Sequence, residues 1–170
     1  MKNLCTLMIL GLASLASAQA DLAQSSIKGM FSRNADQITS LGDAFSEEQY
    51  NWRPAEGIRS VGESLIHVAK ANYFFLMKMG FELPEGIDMM GMDGITGKAN
   101  IMEAVSKSFD FTKEKITMVE TDQLGDSVEM PFGEFNKMST LLLVLEHSGE
   151  HKGQLIAYAR SSGIAPPWSQ

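Results

Sequence analysis

Three histidines, His67, His147 and His151, are the only imidazoles in the sequence, and each falls inside an apolar helical pattern rather than among surface residues. The i, i+4 spacing of His147 and His151 puts the two rings one turn apart on one helix face, about 40° apart around the axis, so that both reach a single ion. That is bidentate metal geometry. The stripe Leu143, His147, His151, Gln154, Tyr158 continues the apolar face of residues 141–145, where an unpaired imidazole costs several kcal/mol of desolvation. Two arrangements remove that cost. One is coordination of a metal, with His67 arriving from another helix as a third ligand; the other is a set of hydrogen bonds to carbonyls or to Glu146 and Glu150. Three neutral imidazoles on Zn²⁺ leave a position for water, whose pKa falls toward ~7 and which then serves as a nucleophile at neutral pH.

Competing motifs are weaker. His147-Ser148-Gly149-Glu150-His151 matches H-x-x-E-H, yet no Asp or Glu follows Glu150 to supply the downstream carboxylate that this signature needs. A di-iron bundle site requires Glu three residues ahead of its histidines; Val144 and Ser148 stand there instead. Around the histidines, Glu63 precedes His67 by one turn, as a base, a fourth ligand or half of a helix cap. Gln154, one turn after His151, is placed to orient a bound water or substrate oxygen, or to bond a neighbouring helix. Trp52 and Arg53 close the mouth of such a site or anchor the loop, and Tyr158 is a further general-acid candidate. The methionines Met89, Met90 and Met92 offer soft thioethers for Cu(I), against a plainer role as flexible filler over the bundle end.

The elements that must carry these residues read as helices. Ser60-Val61-Gly62-Glu63 has the S-x-x-E spacing of a capping box, predicting a helix from Ser60 to about Met79 that stops at Gly80. Its middle, Leu65 to Leu76, is apolar apart from His67, Lys70 and Asn72. A first helix over about 22–45 carries the stripe Ile27, Met30, Phe31, Ile38, Leu41 and Phe45. A third, about 98–120, turns Ile101, Val105, Phe109, Thr112, Ile116 and Val119 inward. The fourth runs from about Asn136 to Ser161 and ends before Gly163 and Pro166-Pro167. No stretch shows clean strand alternation, so the expected fold is an all-α four-helix bundle, with long irregular loops over 81–97 and 121–135.

With 170 residues, 44% of them apolar, the chain suits one well-cored domain. Its formal net charge of −7 argues against nucleic acid or an anionic membrane as a partner, since both call for a basic surface. The single cysteine allows neither an internal disulfide nor a CxxC pair, which leaves N and O ligands for any metal. Residues 1–20 form a signal peptide: Lys2, an apolar run from Leu4 to Leu15, then A-x-A sites ending at Ala18 and Ala20. The run is shorter than the ~20 residues that cross a bilayer. Cys5 leaves with it, and residues 21–170 become an exported, periplasmic or secreted domain with no membrane attachment.

Taken in order, several pieces resemble the DinB-like (YfiT-like) four-helix metalloproteins. They are Tyr50-Asn51-Trp52-Arg53-Pro54-Ala55, Ser60-Val61-Gly62-Glu63 leading to His67, His147-x3-His151-x-Gly153-Gln154-Leu155, and Tyr158-x-Arg160-x2-Gly163-Ile164-x-Pro166-Pro167. The resemblance implies a bundle in which His67, His147 and His151 ligate one divalent ion, commonly zinc or nickel, open to water on one side. That family includes thiol-cofactor S-transferases, a mycothiol-dependent isomerase and members described as metal-dependent hydrolases. An export signal departs from its cytosolic thiol-dependent members. The implied activity is a hydrolase or transferase acting on a small molecule; a non-catalytic metal-binding or ligand-binding bundle is the alternative. The exposed loops and the resemblance are compatible with a homodimer. Protein recovered from its native host is expected to begin at Gln19 or Asp21 by intact mass; a product retaining Met1 contradicts export.

Overall fold

The structure, a computed structural model, describes the backbone of residues 2–169 and the side chains of residues 21–169. The signal-peptide reading of residues 1–20 lies outside the described side chains. Four helices carry the fold: α1 (Lys2–Ala44), α2 (Val61–Lys78), α3 (Lys98–Ile116) and α4 (Lys137–Ser161). The all-α bundle is as expected. Helix α1 continues N-terminally past the start at residue 22, and α3 stops at Ile116 rather than Glu120, although Val119 beyond it remains buried. No helix of the described residues is long and apolar enough to cross a membrane.

Each packing contact follows from the stripes. α1 packs on α3 and α4, and α2 packs on the same two helices, so the order around the bundle is α1, α3, α2, α4. Ile27, Phe31, Ile38 and Leu41 of α1, and Phe45 just past its end, are buried as their spacing requires, and Phe31 meets Phe109 of α3 edge to face at 5.8 Å. Met30, at the edge of that stripe, is instead exposed at 61%. The predicted inward face of α3 is buried throughout. Polar bonds tie the pairs: Asn72 of α2 donates to Ser108 of α3 at 3.1 Å, and Asn34 of α1 donates to Ser148 of α4 at 3.0 Å.

The helix starts are set by side chains. Ser60 Oγ accepts from the Glu63 amide at 3.2 Å while Glu63 Oε2 accepts from the Ser60 amide at 2.7 Å, a complete capping box. Asn136 caps α4 by accepting from the Ser139 amide at 2.7 Å. Gly80, with φ of 95°, follows the end of α2 in a conformation costly for any residue with a Cβ.

The stretch 121–135 is not irregular throughout. It holds a hairpin of β1 (Ser127–Met130) and β2 (Gly133–Asn136), antiparallel, with Ser127 opposite Asn136 and Met130 opposite Gly133. Val128 and Met130 point into the core while Ser127 and Glu129 face solvent, a period of two over only four residues. The hairpin contacts α2 and α4 and covers one part of the core. Truncating Phe109 to Ala is expected to cost about 3–5 kcal/mol by denaturant unfolding, and Ser60→Ala about 1 kcal/mol. Equal midpoints for Phe109→Ala and the parent would contradict the core assignment.

Candidate metal centre

Because α2 and α4 are neighbours, His67 comes to lie against His147 and His151. Their ring nitrogens lie within 4.8 Å of one another, with His151 buried and the other two half-buried. His67 Nε2 and His147 Nε2 stand 3.2 Å apart, and the ring centroids of His147 and His151 are 4.4 Å apart. Two nitrogens bound tetrahedrally at the usual zinc distance are separated by about 3.3 Å. The observed spacing therefore fits a shared ion, and no carboxylate belongs to the group among the described residues.

The third ring is set by a relay whose direction can be worked out from its far end. The Arg59 carbonyl only accepts, so the Tyr158 hydroxyl, 3.0 Å away, must donate to it. That hydroxyl therefore accepts from Gln154 Nε2 at 2.8 Å, which turns Gln154 Oε1 toward His151 Nδ1 at 2.7 Å. An amide oxygen cannot donate, so Nδ1 carries the proton. In the neutral ring Nε2 is left with a free lone pair, the form in which histidine ligates metal. Trp52 packs edge to face on Tyr158 at 5.3 Å and Phe75 on His147 at 5.7 Å.

Electrostatics keeps two of the rings uncharged. Burial pushes His67 down from the ordinary 6.5 to about 4, helped by the Arg59 charge, His151 and Lys70, with Asp93 opposing. Burial likewise pushes His147 down to about 4, with His151, His67 and Arg59 adding to it. A cleft of about 570 Å³ reaches His67 and is bordered by Arg53, Arg59, Lys70 and Asp93.

Other residues singled out in the sequence fall into place around this centre. Glu63 does not join the imidazoles; its carboxylate is spent on the cap and on Arg53, 3.0 Å away, with the side chain 52% exposed. The cap bond, foremost, and Arg53 hold its carboxyl below the usual range. Gln154 bonds within its own helix, to His151 and Tyr158, rather than to another helix. Tyr158 has its proton committed to a carbonyl. Met92 is buried while Met90 is 86% exposed, so the methionine loop divides between core and solvent.

The DinB family profile matches residues 26–170. The chain belongs to the DinB family. Solved structures agree with a DinB fold. A DinB-like protein from Bacillus cereus superposes with TM-score 0.72 at 16% identity, covering 84% of this chain and 95% of that one. One from Bacillus subtilis gives 0.65 at 20%, covering 82% and 93%. A conserved protein from Enterococcus faecalis gives 0.61 at 16%, covering 80% and 94%. No curated protein matches the chain. Sequence reasoning missed Arg59, whose carbonyl anchors the relay and whose charge acts on two of the rings; as an isolated loop residue it has no periodicity to reveal it.

Because the pKa of both His67 and His147 is lower in the folded than in the unfolded chain, the unfolded state takes up protons first as pH falls. Metal-free protein, kept so with chelator, is therefore expected to hold its stability above pH 6.5 and lose it progressively toward about 4. Urea midpoints across that range check this. A double variant, His67→Gln with His147→Gln, should show a shallower decline, and an unchanged slope would contradict the assigned cause.

Proposed function

We propose that this DinB protein binds one divalent ion, zinc or nickel, through His67, His147 and His151 and is a metal-dependent hydrolase or transferase acting on a small molecule. The observation that carries the reading is the convergence of three imidazole nitrogens within 4.8 Å at the edge of a solvent-reaching cleft. Such an ion, when bound, supplies Lewis acidity that activates water or polarises a substrate oxygen or sulfur. The protein's own residues do the rest. Burial and Arg59 keep His67 and His147 unprotonated as donors, the Gln154–Tyr158 relay aims His151, and the cleft beside His67 admits substrate to one side of the centre. The leader at residues 1–20 supports an exported setting for this chemistry.

A non-catalytic metal-binding bundle is the second reading. It is favoured by one observation: among the described residues no carboxylate joins the histidines to serve as a base. Turnover of small ester, amide or phosphate substrates by metal-loaded protein separates the two.

Purified protein is expected to carry one metal per chain by elemental analysis. Removing metal held at a thousandfold excess over Kd should cost about 4 kcal/mol of stability and lower the melting temperature. His67→Ala, His147→Ala and His151→Ala should each abolish most of that chelator response. Gln154→Leu should weaken metal affinity by roughly 10–100-fold while leaving the three ligands in place. A parent protein whose melting ignores chelator would show that the histidines are held by hydrogen bonds alone.

A further inference from the structure

We propose that the cleft beside the three histidines binds an oxyanion of the substrate, a carboxylate or phosphate, through the guanidinium of Arg59. The inference rests on the metal-centre reading and names the substrate class for it. Every other charged group along this part of the cleft already has a partner: Arg53 pairs with Glu63, Lys70 with Asp93, and Glu47 accepts from the Lys98 amide at 3.1 Å. Arg59 alone of the cleft's cations forms no ion pair among the described residues. Its backbone is fixed by the Tyr158 hydroxyl at 3.0 Å, one residue ahead of the cap of α2, so the residue is anchored where its side chain borders the same cleft as His67.

The charge count gives the direction. Among the described residues, three imidazoles contribute no negative charge, no carboxylate joins them, and Arg59 brings a full positive charge to the cleft that His67 also lines. With Glu63 and Asp93 paired to Arg53 and Lys70 and Glu47 held by the Lys98 amide, a divalent ion held by the histidines would add its charge to that of Arg59 with no carboxylate bound to either. An incoming anion supplies that balance. A guanidinium presents two parallel N–H donors that match the two oxygens of a carboxylate or phosphate, a match that a neutral ester or amide does not offer.

The test uses the full mature chain loaded with one equivalent of Co²⁺, whose visible bands report on the site, titrated separately with acetate and with inorganic phosphate. Binding of either is expected, and the preferred probe distinguishes a carboxylate from a phosphate substrate. Arg59→Gln, which keeps the carbonyl that Tyr158 uses, should weaken that binding by roughly tenfold or more. Arg59→Lys should recover part of it, and Arg53→Gln should stay within about twofold of the parent because its charge is already paired. Equal anion affinity in Arg59→Gln and the parent, or an equal loss in Arg53→Gln, overturns the inference while leaving the metal centre standing. Failure of the parent to take up Co²⁺ overturns the metal reading itself.

Discussion

Three imidazoles packed between the inner faces of two helices must each be supplied with a partner and kept from charging one another, and much of the structure serves that requirement. A nearby carboxylate would draw protons onto the rings and compete for any ion. Among the described residues none joins the group, and Asp93 acts in that sense on His67 alone. Burial and the Arg59 charge act in the opposite sense and hold His67 and His147 unprotonated. For His151 the tautomer follows from a main-chain oxygen three links away, because the Arg59 carbonyl admits only a donor and each subsequent bond is then forced. Trp52, packed on Tyr158, closes the relay from the side.

The helix order makes that meeting possible. With α1 and α2 on opposite corners of the bundle, and α3 and α4 on the other two, both connections that cross a diagonal must be long. The first, residues 45–60, carries Trp52, Arg53 and Arg59 to the site; the second forms the hairpin that covers core beside α2 and α4. The capping box then fixes where α2 begins, and His67 sits seven residues after Ser60, two turns along the same face. A shift of one residue in that start would swing the ring about 100° away from α4.

What was legible in the sequence was whatever a period or a cap encodes. The i, i+4 histidines, the S-x-x-E cap and the stripes of α1 and α3 needed only local rules. The hairpin was not, because Ser127-Val128-Glu129-Met130 is too short for alternation to stand out and Pro131-Phe132 lacks the glycine or asparagine of a common two-residue turn. The end of α3 was placed too late because Val119 keeps the inward spacing after the helix has stopped. Gln154 was visible as a neighbour of His151, but the direction of its amide depends on Arg59, ninety-five residues earlier, and no local pattern carries that. The exposure of Met30 likewise depends on which helix covers the edge of α1.

A division of labour follows from where the parts are attached. The three imidazoles, and the glutamine and tyrosine that orient His151, stand on α2 and α4, whose packing against each other positions them. Of the charges around the cleft, Glu63 and Lys70 stand on α2, whereas Arg53, Arg59 and Asp93 come from the connecting segments. Loops change most readily between relatives, and at 16–20% identity the likeness to DinB-like structures is one of fold. Likeness of fold therefore carries the scaffold across but not the substrate. Selectivity in this chain has to be sought in its own loop residues, and among those bordering the histidines Arg59 is the one whose charge the described residues leave unanswered.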